Sequence, residues 1–304
     1  MSTSFWKSGH TPTLISAFLY FDISFMVWYL LGPMAVQIAT DLALDAQQRS
    51  IMVATPILSG ALLRLLLGFL ADRLSPKLAG VIGQLIVILS LSIAWLLGID
   101  SYEQTLLLGL GLGFAGASFA VALPLASQWY PPEHQGTALG IAGAGNSGTV
   151  LAALFAPGLA YLFGWQNVFG LALIPLSITL LVFLLLARNA PDRPPPAALA
   201  DYARALRNTD SAWFMFFYSI TFGGFIGLAS ALPGYFSDEY DLDPVRAGYY
   251  TAACVMVGSL MRPVGGPWST RRGNQGRPGS PAALSMAYQA LTGLIASSMR
   301  PMAA

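Results

Sequence analysis

Eight stretches of this chain are apolar for long enough to cross a lipid bilayer as helices, and that leaves few folds open to it. A hydrocarbon core of roughly 30 Å takes about 20 residues of α-helix, and inside it each backbone N–H and C=O must find its partner within the protein. The stretches run approximately over residues 13–39, 50–71, 78–98, 104–129, 136–162, 166–188, 211–236 and 245–266. Charged residues make up only 10% of the chain and hydrophobic ones 55%, whereas soluble domains carry about 25% charged residues. The expected fold class is therefore an all-α, multi-pass membrane protein. The first stretch is too long for a signal-peptide core and no small-x-small cleavage site follows it, so it reads as an uncleaved span.

The connections are mostly short, which makes neighbouring spans antiparallel. One connector differs. Residues 189–210 carry Pro191, Pro194, Pro195 and Pro196 with Arg193, Arg204 and Arg207, just after Arg188, the composition of a stiff polar linker between two bundles. The expected organisation is a six-helix bundle over 1–188, a linker over 189–210, and two helices of a second bundle over 211–266. A tail over 267–304 has Gly, Pro and Ser clusters and no acidic residue, and is expected to be disordered. The positive-inside bias places the N-terminus in the cytoplasm. Lys7, Arg73, Lys77, the linker arginines, Arg271, Arg272 and Arg277 then fall inside. The outer loops hold Arg49 and Arg246 against eight acidic residues, from Asp41 and Asp45 to Asp241 and Asp243.

Several functions are excluded by what the sequence lacks. No basic block outside the last forty residues could track phosphates, so nucleic acid is not an expected partner. Cys254 stands alone in an apolar helix, and His10 and His134 have no neighbours at metal-ligand spacing. No cofactor or metal is expected, and no nucleophile–base pair suggests an enzyme.

Two nine-residue segments echo each other: GALLRLLLG at 60–68 and GSLMRPVGG at 258–266. Each carries one arginine, Arg64 and Arg262, inside an apolar span. A guanidinium at mid-membrane costs at least about 3 kcal/mol, so a matched pair points to an anion site between two halves. The fork of each guanidinium suits a small planar oxyanion. Asp22 on the first span is the natural ion-pair partner for Arg64, or else a group that takes up a proton. Phe25, Trp28, Phe119 and Tyr218 are candidates for the walls of the cavity. The fifth span repeats small residues every fourth position, Gly136, Gly140, Ala144, Gly148, Ala152 and Ala156, and the fourth answers with Gly109, Gly113 and Ala117. Such faces let helix backbones approach closely. They do not explain Asn146, which is either an interhelical bond or a substrate donor. The turn GFLADRLSPK places Asp72, Arg73 and Lys77 at the cytoplasmic surface.

That turn resembles the loop motif of the major facilitator superfamily, with Gly68, Ala71, Asp72, Arg73 and Lys77 matching and Ser75 where a glycine is usual. The runs GFAGASFA at 113–120 and QGTALGIAGAGNSG at 135–148 resemble the signature of the nitrate/nitrite porter family within it, and YSITFGGFIG at 218–227 is similar to that family's seventh helix. The resemblance covers residues 10–266. It implies a twelve-helix transporter that alternates access around an anion site, in a bacterial inner membrane, carrying nitrate or nitrite. It puts the substrate-gripping arginines at Arg64 and Arg262, the cavity asparagine at Asn146, and aromatic partners at Phe119 and Tyr218. Asp22 becomes a candidate for proton coupling, and both proton symport and nitrate/nitrite exchange stay open.

After Gly266 the chain departs from the pattern, reading PWSTR where a second ADR-type turn is expected. The simplest expectation is a reading-frame shift there, leaving a chain truncated after eight helices and impaired in transport. Two alternatives remain: a carrier of another small anion such as an organic carboxylate, and a membrane fragment that does not transport.

Overall fold

The computed structural model describes residues 4–191, 196–197 and 199–273, with the backbone alone at 199, 201, 205, 206, 214 and 260–273. The described residues are helical and contain no strand. In chain order the α-helices are α1 (Thr11–Trp28), α2 (Ala35–Asp41), α3 (Ala46–Arg73), α4 (Pro76–Leu97), α5 (Tyr102–Gly116), α6 (Phe119–Ser127), α7 (Pro132–Gly143), α8 (Gly148–Phe163), α9 (Trp165–Leu186), α10 (Leu199–Arg207), α11 (Thr209–Tyr218), α12 (Gly224–Tyr240) and α13 (Pro244–Gly273). Seven helical stretches are long and apolar enough to cross a membrane: α1, α3, α4, α5–α6, α7–α8, α9 and α11–α12. The eighth expected span falls within α13, which continues past Gly266 to Gly273. Residues 274–304 of the expected tail lie outside the described residues.

Helix starts follow local chemistry. Asp45 accepts from the Gln48 backbone at 2.8 Å while the Gln48 side chain returns a bond to the Asp45 backbone at 3.1 Å, a reciprocal cap that starts α3. Ser75 and Ser101 cap α4 and α5 with one bond each, accepting from the backbone N–H of Leu78 and Gln104, and Pro76 and Pro12 lie in the first turns of α4 and α1. Gly98 and Gly164 end α4 and α8 at φ of +76° and +82°, which L side chains rarely adopt.

Several spans that read as continuous are broken. The first ends at Trp28, and irregular turns through Gly32 and Pro33 lead to α2, as expected where proline lacks a donor. The fourth breaks at Ala117–Ser118. A 3₁₀ turn over Ala144–Ser147 divides the fifth, and a π turn over Ser219–Gly223 divides the seventh.

The small-residue faces serve partners other than those the sequence suggested. Glycines of the fourth span do not answer the fifth. A Cβ on Gly109 would meet Thr55 and Pro56, and one on Gly113 would meet Ser59 and Gly60, so both let α5 lie against α3. The fifth span presses on α1: a Cβ on Gly145 would strike the Phe21 ring, and one on Gly148 the Asp22 carbonyl. These approaches stack α1, α3, α5–α6 and α7–α8 around one core of buried side chains, including Tyr20, Phe21, Phe25, Met52 and Leu67. The Leu58, Leu62, Leu65, Ile174, Ile178 and Leu185 side chains stay exposed on the rim, the pattern for helices solvated by lipid.

Bonds between helix ends sort the bundle into two faces. On one, which carries the linker, Thr13 accepts from the Arg188 backbone at 2.9 Å and the Trp129 indole donates to the Arg188 carbonyl at 2.8 Å. On the opposite face the Trp165 indole donates to Asp41 at 2.6 Å, and Gln37 donates to the Pro157 carbonyl at 3.1 Å.

Candidate anion site

Arg64 lies on α3 roughly 7 Å along the axis from the helix midpoint, at 1.5 Å per residue. Its guanidinium is held by three kinds of contact. Nη2 donates to the Gly116 carbonyl at 3.2 Å. That carbonyl is free because α5 ends there: the Ala120 N–H, its helical partner, bonds Ala117 instead. The Tyr218 hydroxyl lies within hydrogen-bonding reach. The cation also sits over two rings, 5.0 Å from Phe119 and 5.1 Å from Phe222, contacts worth about 0.5–2 kcal/mol each. Phe119, Tyr218 and Phe222 touch one another, with Tyr218 and Phe222 stacked at 5.0 Å. The Nε–H of Arg64 is buried with no partner among the described residues.

The expected ion pair with Asp22 does not form. Asp22 is 7% exposed on α1, where it accepts from the Ser147 hydroxyl at 2.6 Å and from the Gly148 N–H. The rings of Phe21 and Phe25, which neighbour Asp22 on α1, contact Phe119 and Phe222, the two rings beneath Arg64. The close approach of Gly145 and Gly148 to α1 explains why Asp22 turns to the 3₁₀ turn: the nearest free donors are there. Asn146 is fully buried in that turn, and its carbonyl accepts from Thr149 at 2.8 Å. The turn packs against both α1 and α13. Arg262 lies on α13, and its side chain is outside the described residues.

The structure thus brings Arg64, Phe119 and Tyr218 into contact, with Asp22 and Asn146 on adjoining elements. Trp28 does not line this recess. It is wedged between Gly60 and Gly116, donating to the Pro56 carbonyl at 2.7 Å. Three participants escaped the sequence reading: Phe222, Ser147 and the Gly116 carbonyl. Phe222 follows Tyr218 by four residues, one helical turn, which is the signal that could have found it. A recess of about 870 Å³ lies elsewhere, walled by Leu58, Leu62, Ile93, Leu97 and Leu107 on the outer side of α3, α4 and α5.

On the linker face the loop motif makes specific bonds. Asp72 accepts from the Ala197 N–H and the Tyr202 hydroxyl, both at 2.8 Å, so it holds the start of α10. The bond to Asp72, with partial burial, pushes the Tyr202 phenol above its ordinary pKa. Lys77 donates to the Leu184 carbonyl at 2.7 Å, near the end of α9 where carbonyls lack helical partners. Arg73 lies over the Phe69 ring at 5.2 Å. Gly68 is not sterically demanded, since a Cβ there would meet Ala120 at an ordinary 3.7 Å.

Fold and site together define a polytopic α-helical membrane protein with a cationic recess where broken helices meet. Residues 17–303 match the profile described as Major Facilitator Superfamily, and the chain belongs to that family, a family of transport proteins and not of enzymes. It is 35% identical over 268 residues to the "Probable nitrate/nitrite transporter NarK2" of Mycobacterium tuberculosis (strain ATCC 25618 / H37Rv), covering 86% of this chain and 67% of that one. It is 32% identical over 243 residues to the "Nitrite extrusion protein" of Bacillus subtilis (strain 168), covering 80% and 61%. The chain therefore spans 61% to 67% of the length of these relatives. Among solved structures, a bacterial homologue of the human lysosomal transporter Spinster, inward-facing and unoccupied, superposes with a TM-score of 0.66 at 21% identity, covering 89% of this chain and 64% of that one.

Proposed function

We propose that this protein carries nitrate and nitrite across a bacterial inner membrane, by rocking two helical groups about an anion gripped by Arg64 and, from α13, Arg262. The N-terminus and linker face the cytoplasm. The observation that carries this reading is the state of Arg64: a half-buried guanidinium flanked by Phe119, Phe222 and Tyr218, with a buried, spare Nε–H and no described carboxylate to neutralise it. A small planar oxyanion supplies the missing charge and accepts the spare donor. The names of the relatives supply the choice of anion. Asn146 contributes from the 3₁₀ turn, and Asp22 is the group a proton-coupled cycle would use.

The test is anion-dependent stability of the purified protein, since a ligand at 100 times its Kd adds about 2.7 kcal/mol. Nitrate and nitrite should raise the melting temperature and small carboxylates should not. Arg64→Ala should lose the effect, and Arg64→Lys should lose most of it because the fork is gone. A nitrate shift of wild-type size in Arg64→Ala would remove Arg64 from the site. Proton symport and nitrate/nitrite exchange are separated by Asp22→Asn, which stops the first and spares the second.

A further inference from the structure

We propose that Arg49 and Asp238 form a latch that shuts the face opposite the linker, and that each opening to that side breaks it. Arg49 lies in the first turn of α3 and Asp238 in the last turn of α12, so the pair joins the N-terminal bundle to the seventh span. The fork meets the carboxylate with two bonds, Nη1 to Oδ1 at 3.3 Å and Nη2 to Oδ2 at 2.5 Å. Other contacts close the same face. The Tyr29 hydroxyl donates to the Ala229 carbonyl, and a Cβ on Gly248 of α13 would strike the Ala153 carbonyl of α8.

Burial along the seventh span shows the asymmetry this produces. Toward the latch, Phe225, Ala229, Leu232 and Phe236 are at most 6% exposed, whereas Phe217 and Tyr218 on the linker side are 38% and 39% exposed. Among the described ion pairs, Arg49–Asp238 bridges the two groups of helices, while Arg246–Asp243 lies within the start of α13. The side chains of the bridging pair are 25% and 55% exposed. A pair that wet is weak, which suits a contact made and broken at every cycle. It also orients the closure, because a bidentate fork has one preferred approach.

This inference rests on the alternating-access reading above but not on which anion is carried. Its test is read without anion, so the two can fail separately. In the full chain, with Cys254→Ala to remove the native thiol, Ala229→Cys places a probe behind the latch. A membrane-impermeant maleimide is applied to vesicles from the face opposite the linker. The expected result is slow labelling in this background and labelling about fivefold faster with Asp238→Arg, the factor that corresponds to roughly 1 kcal/mol. Arg49→Gln, which removes the charge without reversing it, should move the rate in the same direction. Combining Arg49→Asp with Asp238→Arg should restore protection. A labelling rate indifferent to the single changes, or one that stays high in the swapped pair, overturns the latch.

Discussion

Gly148→Ala should destabilise the protein although it adds one methyl group to a helix. Gly148 opens α8 against the backbone of α1. A Cβ there would lie 2.7 Å from the Asp22 carbonyl carbon and the Met26 nitrogen, and nearer still to the Asp22 oxygen. The obstruction is helical backbone, which cannot rotate aside as a side chain can, so α1 and α8 must separate. Overpacking of this kind costs about 1–3 kcal/mol, and the better helix propensity of alanine returns at most about 1 kcal/mol. A net loss of roughly 1–2 kcal/mol lowers the folded-to-unfolded ratio about 5- to 30-fold. Gly158 in the same helix supplies the control, because a Cβ there meets nothing within 4 Å. Gly158→Ala should therefore be neutral or stabilising by up to about 1 kcal/mol. Unfolding in mild detergent by titration with a denaturing one, followed by circular dichroism, compares the two. If Gly148→Ala proves as stable as Gly158→Ala, the α1–α8 approach does not set the geometry that delivers Asp22 to Ser147.

Two further outcomes follow from the same contacts. Ser147→Ala removes the 2.6 Å bond to Asp22 and should cost about 1–3 kcal/mol in the same titration, the range for stripping one partner from a buried polar group; a loss within error would place water in the hydroxyl's stead. His10 caps α1 through Nδ1, which accepts from the Thr13 N–H at 3.2 Å. Burial, and then the nearby Arg188 charge, hold its pKa below 6.5. The folded state thus favours the neutral ring. The cap contributes fully above pH 6.5 and is lost as pH falls through the lowered value. Hydrogen exchange in the first turn of α1 should quicken over that fall beyond its intrinsic pH trend, and His10→Asn, which keeps an acceptor, should abolish the excess.

What could be read from the sequence was position along the membrane normal. Run length located the spans, and the depth of Arg64 within GALLRLLLG marked it as needing a partner. Azimuth was not legible. Asp22 and Arg64 stand at depths that allow pairing, but Gly145 and Gly148 draw α1 onto the 3₁₀ turn and point Asp22 at Ser147. Breaks in the helices were equally hidden. GAGNSG and SITFGG are compatible with α, 3₁₀ or π geometry, and tertiary contact decides among them. Proline did not give the breaks away either, since Pro33 lies in an interruption whereas Pro56, Pro157 and Pro175 sit within unbroken helices. Phe119 and Tyr218 were legible as aromatic residues on apolar spans and again through the family resemblance, while Phe222, one turn beyond Tyr218, emerged only in the fold.

In the proposed transport cycle, the absence of an Asp22–Arg64 pair would let the recess attract an anion. A guanidinium within an apolar span needs compensation, and a carboxylate would supply it by cancelling the charge, leaving nothing to grip a negative solute. Here the compensation comes from neutral groups: the Gly116 carbonyl at 3.2 Å and the faces of Phe119 and Phe222 near 5 Å. Dipoles and ring quadrupoles stabilise the cation without neutralising it. The break between α5 and α6 is part of that arrangement, because an unbroken helix would have committed the Gly116 carbonyl to the Ala120 N–H. Asp22, held instead by Ser147 and Gly148, would then be available for a separate role in the proposed cycle. Tying the Asp22 carboxylate to the 3₁₀ turn through Ser147 keeps it from cancelling the Arg64 charge.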